Sequence, residues 1–113
     1  MTAAEAKARA YFERVRAKDA AGVAAQFAPT GVLKLPNGKQ LTGRGEIEAY
    51  YVSILARATP NPKVISVIVE GNRCLAEIHA HRPDGTPVPV ADVFTLDAAG
   101  EVTELAIYTT TVG

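Results

Sequence analysis

Helical spacing governs the first half of this chain and strand-like alternation the second. From about Ala3 to Ala17, Ala10, Tyr11, Val15 and nearby alanines recur at intervals of three and four, the inner stripe of an amphipathic helix. Thr2 and Glu5 have capping-box spacing at its start. Asp19 predicts the cap of a short second helix running through Val23 and Phe27, ended by Ala28-Pro29-Thr30-Gly31. Gly31 to Leu35 reads as a strand, Pro36-Asn37-Gly38 as a turn and Lys39 to Leu41 as a short return. Gly43-Arg44-Gly45 leads into a third helix, Glu46 to Ala58, with Ile47, Tyr50, Tyr51 and Leu55 on its stripe, and Pro60-Asn61-Pro62 stops it. Lys63 to Glu70, Arg73 to Arg82, Thr86 to Leu96 and Val102 to Val112 then read as strands, joined at Gly71-Asn72, Asp84-Gly85 and Asp97-Ala98-Ala99-Gly100. Helices followed by an antiparallel meander predict an α+β fold, with residues 1–113 forming one domain.

The segment from Cys74 to Leu96 carries polar residues where a sheet interior should be apolar. Side chains alternate faces along a strand, so Leu75, Glu77, His79 and His81 share one face, and Cys74, Ala76, Ile78 and Ala80 the other. Asp84-Gly85 has the composition of a two-residue hairpin turn. That loop sets Glu77 opposite Asp92, His79 opposite Val90 and His81 opposite Val88. Facing carboxylates repel, and a buried pair would share a proton and raise one pKa. A bulge or a three-residue turn would break this register, and Pro87 and Pro89 interrupt a regular ladder. The apolar run Cys74, Ala76, Ile78, Ala80 supports the opposite phase, with Glu77, His79 and His81 on a solvated surface. Asp92 shares its face with Val88, Val90, Phe94 and Leu96, which predicts apolar surroundings and a raised pKa.

Charge narrows the options. Twelve basic and twelve acidic side chains cancel, and no basic run interleaves with aromatics, which disfavours nucleic acid as a partner. No apolar stretch reaches the roughly 18 residues of a membrane span, and the chain opens on a helix, not a signal peptide, so a soluble, cytoplasmic protein is expected. Cys74, a single cysteine, forms no internal disulfide and has no zinc-ligand spacing. His79 and His81 suit acid–base chemistry but lack a third ligand, so no metal site is expected. Gly43-Arg44-Gly45 lacks the strand pattern and lysine of a phosphate loop.

Several motifs together resemble the nuclear-transport-factor-2-like superfamily, in particular its SnoaL-like and ketosteroid-isomerase-like branch. They are Ala8 to Phe12 (Ala-Arg-Ala-Tyr-Phe), Thr42-Gly43-Arg44-Gly45-Glu46-Ile47, Val90-Ala91-Asp92-Val93-Phe94 and Gly100-Glu101-Val102. The resemblance spans essentially the whole chain. It implies a curved antiparallel sheet wrapped around three helices as a cone with a deep apolar pocket, in a protein that is commonly a homodimer through its sheet. One such scaffold hosts isomerases, cyclases, hydrolases, dehydratases and non-enzymes. Tyr11 and Asp92 match the two hydrogen-bond donors of the isomerases' oxyanion hole, one a phenol and the other a carboxylic acid kept protonated. Tyr51 matches a tyrosine that supports the first. The isomerase base position is Leu35, ahead of Pro36; the second-helix network tyrosine corresponds to Phe27 and a last-strand aromatic to Thr109. A leucine abstracts no proton, so the family's steroid isomerisation is not expected. The limonene-epoxide-hydrolase arrangement also fails, because Leu105 to Thr111 holds no acid. Polyketide cyclases of the SnoaL type use one late-strand aspartate, and Asp92 resembles it in position.

Two functions are therefore expected to compete. One is a cofactor-independent acid–base enzyme acting on a small hydrophobic carbonyl compound. Asp92 would move the proton, assisted by Glu77 or His79, and Tyr11 would donate to the carbonyl oxygen. The other is a binding protein that holds a small hydrophobic ligand unchanged. A third possibility is a purely structural protein whose pocket is filled by its own side chains. Tyr51, Leu35, Phe27, Val90, Phe94 and Thr109 are the expected ligand-lining positions.

Overall fold

Nine elements follow one another in the computed structural model, which describes residues 1–58, 61–82 and 84–110. They are α1 (Ala3–Arg16), α2 (Ala20–Ala25), β1 (Phe27–Lys34), β2 (Gln40–Thr42), α3 (Arg44–Arg57), β3 (Lys63–Glu70), β4 (Arg73–His81), β5 (Pro87–Leu96) and β6 (Val102–Thr109). The fold is α+β, as expected. Thr2 caps α1 by accepting from the Glu5 amide at 3.1 Å, while the Glu5 carboxylate turns outward to Arg9 at 2.9 Å. Asp19 caps α2 by accepting from the Gly22 amide at 2.9 Å.

The six strands form one sheet in the order β2-β1-β6-β5-β4-β3. Every neighbouring pair is antiparallel except β1–β6, which is parallel, so the expectation of a wholly antiparallel sheet is corrected at that one contact. α2 ends at Ala25, before the expected Phe27, and β1 begins at Phe27, four residues before the expected Gly31. The β1–β6 ladder breaks between Phe27 and Val32. Pro29 lies in that break, where its missing amide removes no ladder bond. Gly31 is needed for close approach: a Cβ there would lie 2.8 Å from the Val102 carbonyl oxygen. At the entry to α3, Arg44 donates from Nε to the Phe27 carbonyl at 2.8 Å and pairs with Glu101 at 2.7 Å, tying the helix to both β1 and the start of β6.

The loop between β4 and β5 decides which side chains meet. Arg82 donates its amide to the Thr86 carbonyl at 2.9 Å, and Gly85 takes the positive φ of 88° that favours glycine. Three residues therefore separate the closing pair, one more than a two-residue hairpin. The register moves by one, so Asp92 pairs with Ala76 and Glu77 with Ala91. A one-residue shift reverses every face relationship between two strands. Glu77 and Asp92 consequently lie on opposite faces of the sheet, and the expected carboxylate pair does not exist.

Cys74, Ala76 and Ile78 of β4, Phe94 and Leu96 of β5 and Leu105 of β6 are buried in one core. Tyr11, Phe12, Ile47, Tyr51 and Leu55 fill the space from the helical side. Phe94 is fully enclosed, and truncating such a side chain to alanine costs about 3–5 kcal/mol. Among the described residues no helix is long and apolar enough to cross a membrane.

Candidate active site

Asp92 occupies the middle of β5, on the face turned toward the helices, and is only 3% exposed. Its Oδ1 is enclosed and makes no hydrogen bond among the described residues. Removal from water disfavours the charged form, and burial alone pushes this carboxyl up to about 7. Near neutral pH it therefore exists in both protonation states.

Tyr11 arrives from α1 and Tyr51 from α3. Their hydroxyl oxygens are 2.5 Å apart, and both rings are buried. The Tyr11 ring meets Phe94 edge-on at 5.4 Å and Phe12 at 5.1 Å, while Tyr50 braces Tyr51 at 5.3 Å. Burial raises both phenols well above their usual range, and the nearby Asp92 carboxylate raises them further. The pair is therefore protonated near neutral pH. It offers hydrogen-bond donors, not bases.

Tyr11 and Asp92 both line a cavity of about 620 Å³. Phe12 and Val15 of α1, Ile78 and Ala80 of β4, Val90 of β5 and Ile107 of β6 supply its apolar wall. Arg57 and Ala58 at the end of α3, with Asn61 and Pro62 beyond it, contribute on another side, and His81 and Arg82 contribute at the end of β4. A carboxyl able to take or give a proton, a phenol O–H and an apolar wall make a setting for proton transfer at carbon next to a carbonyl.

The expected site residues divide clearly. Asp92, Tyr11 and Val90 line the cavity, and Tyr51 supports Tyr11 from behind. Phe94 and Phe27 are core residues behind the wall, not lining positions. Leu35 lies in a separate hollow of about 250 Å³ beside Lys34, Pro36 and Tyr108. The Thr109 hydroxyl donates to the Pro89 carbonyl at 3.0 Å. Glu77 and His79, expected to assist Asp92, sit on the outer face: Glu77 is exposed and accepts from the Ser66 hydroxyl at 3.0 Å, and His79 is paired across the strands with Lys63 and Pro89. The three-residue loop is the cause. His81 shares their parity but lies at the strand's end, where it reaches the cavity rim. Ile78, Ile107, Val15 and Arg57 were not among the expected lining positions; Ile78 and Val15 were legible as inward-facing residues, but Ile107 and Arg57 needed the folded chain. Among the described residues no three His, Cys, Asp or Glu side chains gather as a metal site.

A family model described as the SnoaL-like domain matches residues 8–105. Among solved structures, a protein from Sphaerobacter thermophilus is similar at 25% identity, covering 94% of each chain with a TM-score of 0.80. A putative polyketide cyclase from Sinorhizobium meliloti is 22% identical over 95% of this chain and 99% of its own, with a TM-score of 0.80. The epoxide hydrolase/cyclase-like enzyme SalBIII, described with a role in pyran ring formation in the polyether salinomycin, is 18% identical over 96% of this chain and 91% of its own, with a TM-score of 0.82. No curated protein sequence matches. With its family model covering most of the sequence and its sheet and helices matching those structures, this chain belongs to the SnoaL-like domain family of the nuclear-transport-factor-2-like superfamily.

Proposed function

We propose that the protein is an acid–base enzyme acting on a small hydrophobic carbonyl compound, with Asp92 as the proton-transfer group. The observation that carries this reading is the solitary carboxyl, held at about 7 by burial, lining the same apolar cavity as a tyrosine O–H. As a carboxylate, Asp92 accepts a proton from the carbon next to the carbonyl. Tyr11, hydrogen-bonded to Tyr51, donates to the oxygen as negative charge develops there. Asp92 then returns the proton to another atom, giving isomerisation or, with an internal electrophile, ring closure. One acid–base group suffices. A preorganised donor of the Tyr11 type commonly contributes about 2.7–4 kcal/mol of barrier lowering.

Steroid isomerisation of the family type is not proposed, since Leu35 cannot serve as a base and lies in another hollow. A binding protein is the second reading, favoured by the lack of a second acid on the cavity wall among the described residues; there a protonated Asp92 would only donate to a ligand. The two separate in one experiment. With 2-tetralone in deuterated water, the enzyme accelerates deuterium entry next to the carbonyl and Asp92→Asn loses that acceleration. Binding of 2-tetralone with no accelerated exchange leaves the binding reading instead.

The outer face of the sheet supports a second proposal, a homodimer. Ile68, Leu75, Val93 and Ala106 lie in one row across β3, β4, β5 and β6. Ile68 is 64% exposed, and Tyr108 in the adjoining row is 59% exposed. An apolar row with large exposed side chains suits a second copy of the same sheet.

A further inference from the structure

The charged groups around the cavity are not balanced. Arg57, His81 and Arg82 lie on its lining, and among the described residues the only acid there is the buried Asp92. Arg57 holds its own helix end, donating from Nε to the Ser53 carbonyl at 3.2 Å, and neither it nor Arg82 enters an ion pair among the described residues. A second hollow of about 430 Å³ shares Phe12, Asn61, Pro62 and His81 with the cavity and continues the same character. Along it Arg9 is paired with Glu5 at 2.9 Å and Arg16 with Glu13 at 2.8 Å, while Lys63 enters no ion pair among the described residues. The chain as a whole has a formal net charge of zero, so this concentration of cations is local.

Cations facing an apolar recess select a ligand by both ends. We infer that the ligand of this cavity is an amphiphilic anion, with an apolar body against Phe12, Val15, Ile78 and Ile107 and an oxyanion met at the mouth by Arg57 and Arg82. The inference rests on the reading of this cavity as the ligand site and adds the substrate class. Arginine suits the task, because its planar fork of donors matches carboxylate or phosphate oxygens and it is weakly hydrated. The same charge would hold the reacting end of the molecule deep, beside Asp92 and Tyr11, and the anionic end outward. Arg57 and Arg82 are thus assigned to specificity, not to proton transfer.

The test uses three probes with one bicyclic body: neutral 2-naphthol, 2-naphthoate and 2-naphthyl phosphate. Binding is followed by the methyl resonances of Ile78 and Ile107 at about pH 6 and low salt, where Asp92 is mostly protonated. The expected result is that 2-naphthoate or 2-naphthyl phosphate binds about tenfold tighter than 2-naphthol. Arg57→Gln with Arg82→Gln, or high salt, removes that preference, and Arg57→Lys with Arg82→Lys restores part of it. The stronger of the two anions tells a carboxylate ligand from a phosphate one. Equal binding of neutral and anionic probes, or a preference that survives both glutamines, overturns the inference and leaves the cavity reading intact. Failure of all three probes to shift Ile78 and Ile107 overturns both.

Discussion

Tyr11 and Tyr51, forty positions apart in the chain, share a hydrogen bond between their hydroxyl oxygens inside the core. Both rings are buried, and each hydroxyl is the other's hydrogen-bond partner. Replacing Tyr11 with phenylalanine leaves the Tyr51 hydroxyl buried without that partner, at a cost of about 1–3 kcal/mol in unfolding free energy. Tyr51→Phe should destabilise by a similar amount. Their catalytic effects differ: Tyr11→Phe removes the donor that faces the cavity and should slow exchange at the 2-tetralone carbonyl by about 10²–10³-fold, whereas Tyr51→Phe should slow it less. Denaturant midpoints and exchange rates on the two variants check both statements.

Asp92 makes stability fall as pH rises. In the unfolded chain its carboxyl ionises near the ordinary 3.8, while in the fold it ionises at about 7. Between those values the folded state holds the proton that the unfolded state has lost, so raising the pH favours unfolding. Below about pH 4 there is no penalty, and above about pH 7 it is constant at roughly 4 kcal/mol as an upper figure. Asp92→Asn does not ionise. Relative to the parent, its unfolding free energy should therefore improve steadily from about pH 4 to about pH 7 and then level off. Urea titrations of both proteins across that range measure it.

Glu77 provides the contrasting case. It is exposed on the opposite face from Asp92 and bonded to Ser66. Glu77→Gln should leave exchange activity within twofold of the parent and change stability by less than about 0.5 kcal/mol. A large loss of activity would mean that the outer face takes part in the chemistry.

Sedimentation velocity tests the outer face. If a second copy covers Ile68 and Tyr108, then Ile68→Glu together with Tyr108→Glu should convert a dimer to a monomer, because each would bury an unpaired carboxylate. A parent protein that sediments as a monomer contradicts the dimer.

Much of the fold was legible in the sequence because its signals are local. The caps at Thr2 and Asp19, and the period-two alternation from Lys63 onward, act over a few residues. The environment of Asp92 was also legible, since Val90, Phe94 and Leu96 share its face whatever strand lies beside it. Glu77 was different. Its face depended on whether two or three residues close the loop between β4 and β5, and Asp84-Gly85 suits either. The apolar run from Cys74 to Ala80 held the better signal, because burial of a whole face outweighs one attractive pairing of carboxylates. Pro29 and Gly31 concealed the start of β1, since both read as breakers where the ladder happens to be interrupted. Arg57 falls near the end of the expected third helix and Arg82 at the end of an expected strand, and neither position signals a cavity. Only folding brings them to the rim of one cavity.

The most direct measurement is a carbon-13 titration of the Asp92 carboxyl in the ligand-free protein, assigned with Asp92→Asn. A midpoint near 7 is predicted. A midpoint near the ordinary 3.8 would mean that Asp92 is hydrated in the folded protein, and would contradict its role as the proton-transfer group.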